Sequence, residues 1–247
     1  MIVLGIDTAT KQLSCALGDK DGVISSFRVR VEKKHTEILI PSIKHLLSTT
    51  SHDWSDLAAI AVDIGPGLFS GLRVGVTIAK TIAETIGLPM VAYSSLDLLS
   101  FPYHYSDRLV VSVMNAGRGE VFYALYKGLP RGMQRISPNK CATPQELAAE
   151  LFSRGEETLL IGEAANRYSN ILVQDSRIEI APAEGYYPSA ARLVELSYPR
   201  VVREDFVSPD EVKPLYLKKS DAEINWEKRN TTSPPSPSPK IPFWKLT

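Results

Sequence analysis

The 247-residue chain has little of what builds metal or redox sites: two cysteines, Cys15 and Cys141, and four histidines, His35, His45, His52 and His104. Two cysteines form neither a disulfide framework nor a zinc quartet, and they read as reduced thiols. No HExxH or HxxxH pair occurs, and imidazoles need convergent spacing to hold a metal. His35 therefore reads as a capping or surface residue, and no metal site is expected. Charge of one sign is not in excess either, with 28 Lys and Arg against 28 Asp and Glu. Nothing global draws the chain to a polyanion. No run approaches the roughly 18 apolar residues of a membrane span. Met1–Asp7 carries no basic leader, and together these absences predict a cytoplasmic, unanchored chain. A GxSxG serine elbow, a Walker A loop and a GxGxxG turn are all missing.

What remains is an ordinary globular composition, long enough for one large domain or two modest ones. Ile2–Ile6, the alternating run around Leu13, Cys15 and Leu17, and Val23–Val31 read as three strands in an antiparallel meander. Thr36–Leu47 has helical spacing, with Thr36 as N-cap and Pro41 expected to kink or shorten the helix. A strand from Leu57, a helix from about Ser70 to Ile86, a strand Met90–Tyr93 and a short helix Ser95–Ser100 follow. Three strands, helix, strand, helix, strand is the order of a ribonuclease-H-like domain. The pattern restarts near Phe101 with strands Leu109–Met114, Glu120–Tyr126 and Met133–Ile136. Helix Gln145–Phe152, strand Thr158–Ile161 and helix Pro188–Leu196 follow, a loose repeat of the first half. The reading is thus α/β, with two such lobes, each a mixed sheet covered by helices. Residues 1–101 form the first lobe, completed by a helix from about 200–225, and 102–200 form a smaller second lobe. The stretch 230–247 is rich in proline and serine and is expected to be disordered.

The most informative segment is Asp63-Ile64-Gly65-Pro66-Gly67-Leu68-Phe69-Ser70-Gly71-Leu72-Arg73-Val74-Gly75, a glycine-rich turn between a strand and a helix. Such a turn lets backbone approach a ligand or a partner closely. The helix it opens carries two rows at spacing four. Val74, Ile78, Ile82 and Ile86 are large; Gly71, Gly75, Ala79 and Ala83 are small. The large row is expected to bury on the sheet. The small row then admits another helix, either the chain's own Thr36–Leu47 helix or a foreign one.

Ile6-Asp7-Thr8-Ala9-Thr10, His35-Thr36-Glu37 with Leu39 and Pro41, the GPGxFSGLRVG segment, and Ser94-Ser95-Leu96-Asp97-Leu98-Leu99 occur in that order. Together they resemble the TsaB (YeaZ) family of tRNA threonylcarbamoyladenosine synthesis. Arg118–Tyr123 and Pro214-Leu215-Tyr216-Leu217-Lys218 are similar to its later landmarks. The resemblance covers about residues 1–220. It implies an actin/Hsp70-like pair of lobes and a non-catalytic scaffold. It also implies a heterodimer with the transferase paralogue TsaD, a TsaE-like ATPase as third component, a homodimer when alone, and tRNA contact only through the complex. A partner interface through Gly71, Gly75, Ala79 and Ala83 with Leu39 and Ile43 follows from it.

Asp7 stands where actin-like ATPases place a metal-facing carboxylate, but Thr8-Ala9-Thr10 puts side chains where those enzymes use glycine. In the second lobe Asn115 replaces the family's usual aspartate. Asp7, Thr8 and Asn115 are therefore read as a degenerate nucleotide site, with no catalytic residue and no cofactor expected. The rival reading is an actin-like ATP-binding phosphotransferase. A third, a direct tRNA-binding module, rests on the basic cluster Arg28, Arg30, Lys33 and Lys34, which more simply is a solvated strand edge.

Overall fold

The computed structural model describes residues 1–31, 35–130, 132–183 and 186–219. Lys33, Lys34 and the Pro/Ser-rich stretch 230–247 lie outside them. The chain divides after Leu217 into two units, and every element named below belongs to the first.

Strands β1 (Ile2–Asp7), β2 (Gln12–Asp19) and β3 (Gly22–Arg30) form the expected antiparallel meander. Helix α1 (His35–Thr49) then leads to β4 (Leu57–Asp63), which pairs parallel to β1. Helix α2 (Phe69–Ile86) leads to β5 (Met90–Tyr93), parallel to β4. The sheet order is β3-β2-β1-β4-β5. Helix α1 is neither shortened nor capped by Thr36: it begins at His35 and runs through Pro41. Glu37, four residues before Pro41, lies on the exposed side of the helix, where a proline is tolerated most easily. Gly87 ends α2 in the left-handed region (φ 71°), donating to the Ala83 carbonyl, the stop its position predicts.

After α3 (Ser95–Ser100) the second sheet repeats the plan. Strands β6 (Leu109–Gly117), β7 (Glu120–Leu129) and β8 (Gly132–Arg135) form a meander, with β9 (Lys140–Ala142) also on β7. Helix α4 (Pro144–Arg154) precedes β10 (Thr158–Ile161), parallel to β6. Short helices α5 (Glu163–Arg167) and α6 (Ser169–Leu172) then lead to β11 (Ile178–Ile180), parallel to β10. The order β8-β7-β6-β10-β11 matches the first sheet strand for strand. The loose sequence repeat is a duplicated topology, two ribonuclease-H-like lobes of the actin type.

The two lobes exchange helices. Helix α7 (Ala190–Val202) follows the second lobe in sequence yet covers the first sheet, packing Leu193, Val194 and Val201 on Val3, Ala16, Ala59, Ala61 and Val91. A Cβ on Gly5 or Gly18 would lie 2.8 Å from Val194, so glycine there sets how closely α7 seats. In return α3 lends Leu96 and Leu99 to the second sheet, against Val110, Met114, Phe122 and Tyr126. The covering helix of the first lobe is therefore α7, not one at 200–225. Beyond Val202 the described residues of that stretch contribute a 3-10 turn, Pro209–Glu211, and a single antiparallel bridge from Val207 to Met90. Among the described residues no helix is long and apolar enough to cross a membrane.

Candidate functional site

Two carboxyl groups close the C-terminal ends of the parallel strands β1 and β4. Asp7 is fully buried, accepting from the Ala9 amide at 3.0 Å and the Ser14 hydroxyl at 3.1 Å. Ser14 in turn accepts from the Ala190 amide at 2.9 Å, which ties the start of α7 to the same carboxylate. Asp63 accepts from the Gly65 amide at 2.8 Å and from the Ser95 hydroxyl at 2.7 Å, fixing the glycine-rich turn and the start of α3. Burial pushes the Asp7 carboxyl up to about 6, opposed by its hydrogen bonds. Burial and the neighbouring Asp7 push Asp63 well above the usual carboxylate range. The two carboxyls titrate as a pair, and burial favours their protonated forms.

This arrangement does not suit Mg-ATP. A metal-facing carboxylate has to present free oxygens to the cleft, and both of Asp7's are taken up inside the fold. The Thr8 hydroxyl, 1% exposed, donates to the Gly71 carbonyl at 2.7 Å. The Thr10 hydroxyl closes a turn with both backbone groups of Gln12. Asn115 is exposed across the cleft, its Oδ1 accepting from the Gly117 amide at 3.1 Å. The hydroxyls of Thr8 and Thr10 are thus internal ties. Among the described residues no three His, Cys, Asp or Glu side chains gather as metal ligands.

His35 corrects the sequence reading. It is buried and not a surface residue, donating from Nε2 to the Thr10 carbonyl at 3.1 Å and so fastening α1 to the β1 turn. Arg28 and Arg30 stand exposed on β3, the sheet's edge strand.

The two rows of α2 are reversed from expectation. Gly71, Gly75, Ala79 and Ala83 are all buried. A Cβ on Gly71 would strike the Thr8 carbonyl, and one on Gly75 the Thr8 hydroxyl. Ala79 and Ala83 belong to the core between the sheet and the helices, as do Leu39 and Ile43, both 0% exposed. None of the six offers a surface. The small row lets α2 pass close over its own β1 turn, and the larger row is only half-covered, Ile78 and Ile82 still packing in part on the first core. Val74, Ile78 and Ile82 are half-buried and Ile86 is exposed, with Ile38 half-buried and Pro41 exposed on α1.

Sequence reading also missed a strap over the glycine-rich turn. Leu215 donates its amide to the Ile64 carbonyl at 2.7 Å. Tyr216 stacks on Phe69 at 4.5 Å between ring centroids, and Arg73 lies over Phe69 at 4.1 Å while bonding the Tyr216 hydroxyl at 3.3 Å. The signal was present, since both segments are landmarks of the resemblance, but nothing in their spacing says they meet.

The family described as "TsaD: tRNA N6-adenosine threonylcarbamoyltransferase" matches residues 28–226. The tRNA threonylcarbamoyladenosine biosynthesis protein TsaB of Bacillus subtilis is 27% identical, over 92% of this chain and 98% of its own. TsaB of Escherichia coli is 26% identical over 92% and 98% respectively. The solved structure of YeaZ from Pseudomonas aeruginosa superposes with a TM-score of 0.75 at 23% identity, covering 87% of this chain and 99% of that one. The chain belongs to the tRNA N6-adenosine threonylcarbamoyltransferase (TsaD) family and stands among its TsaB, or YeaZ, members.

Proposed function

We propose that this chain is the non-catalytic scaffold subunit for N6-threonylcarbamoylation of adenosine 37 in tRNAs that read ANN codons. It binds a TsaD-like transferase subunit and works with a TsaE-like ATPase, meeting tRNA only within that complex. The names of its full-length relatives support the pathway. The scaffold role rests on one observation: the polar side chains at the strand ends are turned inward as ties, while α2 leaves a row of aliphatic side chains half-exposed.

The interface is the outer face of α1 and α2, with Val74, Ile78, Ile82 and Ile86 beside Ile38 and Pro41. It replaces the buried small row as the docking surface. Covering such side chains contributes up to roughly 1.5 to 3 kcal/mol each, less what they already bury. The same face supports a homodimer when no partner is present.

Reconstitution tests this reading. Transferase, ATPase, threonylcarbamoyl-adenylate and tRNA form modified adenosine only when this chain is added, and the chain co-elutes with the transferase. Modification by this chain alone, or full activity in its absence, contradicts the proposal.

A further inference from the structure

A cavity of about 480 Å³ opens beside the first turn of α7, between the edge strand β3 and the 3-10 turn Phe101–Tyr103 that follows α3. Its volume falls within the roughly 300 to 1,000 Å³ of small-molecule pockets. Strand register explains why two arginines meet there. Arg28 pairs with Ser14 across β3 and β2, and cross-strand partners share a face of the sheet. Ser14 accepts from the Ala190 amide at the start of α7, so Arg28 stands beside the helix turn that carries Arg192. Both arginines line the cavity, and both are exposed.

Charge in this cavity is of one sign. Among the described residues that line it there is no aspartate or glutamate. Arg28 has no hydrogen-bond or ion-pair partner among the described residues. Arg192 pairs with Glu195 at 2.9 Å on the exposed helix surface, a contact that water screens and a ligand displaces at small cost. Two guanidinium groups without a carboxylate repel one another, and a dianion at the same place offsets that repulsion. Phosphate suits the position better than a carboxylate, since its terminal oxygens accept from two planar forks at once. The remaining walls, Tyr103 and Tyr187 with Leu98 and Pro102, suit a flat ring.

We propose that this cavity binds a free nucleoside monophosphate, its phosphate between Arg28 and Arg192 and its base against Tyr103 and Tyr187. Stacking on an aromatic side chain tolerates any base, so purine and pyrimidine nucleotides both enter. The inference is independent of the scaffold reading, because the cavity shares no residue with the outer face of α1 and α2.

Titration calorimetry on the full chain with AMP and UMP tests it, with adenosine, uridine and inorganic phosphate as half-ligands. Both nucleotides bind saturably at about millimolar concentration or below, and each half-ligand binds about tenfold or more weakly. Arg28→Ala and Arg192→Ala replace exposed side chains, so both variants stay folded. Each weakens binding about tenfold or more, the loss expected for one charge-assisted hydrogen bond. Arg30, on the same strand but outside the cavity, supplies the control, and Arg30→Ala binds as the wild type does. Failure of either nucleotide to bind, equal binding by a half-ligand, tighter binding by a 5′-phosphorylated RNA trinucleotide, affinity unchanged in Arg28→Ala or Arg192→Ala, or an equal loss in Arg30→Ala overturns the proposal.

Discussion

The Thr8 hydroxyl donates to the Gly71 carbonyl at 2.7 Å, and its oxygen fills the space a Cβ on Gly75 would need. The turn after β1 is thus a rivet between β1 and α2. Gly75→Ala forces Thr8 or the helix to shift. Overpacking of this kind costs about 1 to 3 kcal/mol. It outweighs the gain of up to about 1 kcal/mol from replacing a helical glycine. Gly75→Ala therefore lowers the urea midpoint, and Gly75→Ala combined with Thr8→Ala, which removes that oxygen, recovers part of the loss. A stabilised Gly75→Ala protein contradicts the inward placement of this row.

Much of the first lobe is legible in the sequence. The meander, the glycine-rich turn and the stop at Gly87 each carry a local signal. The orientation of α2 is not legible, because a row of small residues marks close approach without saying to what. Thr8, the object approached, lies far away in sequence. The end of α7 is hidden by Pro199, which reads as a helix stop but lies inside the helix. The assignment of α7 to the first sheet is hidden too, being a tertiary exchange. Short elements such as α5, α6 and β11 are below the length at which periodicity can be told from chance. Asp63 was visible as the head of the motif, but its pairing with Asp7 depends on two strands lying side by side.

The buried Asp7–Asp63 pair makes stability depend on pH. Both carboxyls hold protons more tightly folded than unfolded, so their contribution is fully present below the unfolded value near 4. It is lost as pH rises through about 6 for Asp7, and further for Asp63. Between pH 5 and 8 the wild type loses about 1 to 3 kcal/mol from this source. In Asp63→Asn one of the two buried carboxyls is gone, and the decline with rising pH becomes smaller than in the wild type. Urea midpoints measured across this range decide the matter. Superimposable pH profiles for the two proteins contradict a contribution from Asp63.

Tyr216 anchors the strap on the glycine-rich turn. Tyr216→Ala removes an aromatic stack worth about 0.5 to 1.5 kcal/mol and frees Arg73. Hydrogen exchange at the Leu215 amide, now bonded to the Ile64 carbonyl, accelerates severalfold. Tyr216→Phe keeps the stack and stays close to wild type. Equal exchange in Tyr216→Ala and wild type shows that the backbone alone holds the strap.

Transferase binding by Ile78→Glu combined with Ile82→Glu tests the scaffold account most directly. Both side chains are half-buried and pack in part on the first core, so the variant loses some stability, and circular dichroism first establishes that it is folded. Placing carboxylates in the docking face weakens the complex with the TsaD-like subunit about a hundredfold or more, because a charge buried without a partner is strongly disfavoured. Calorimetry showing that loss in a folded variant is the predicted result. Undiminished affinity in the same folded variant contradicts it and moves the partner to another surface.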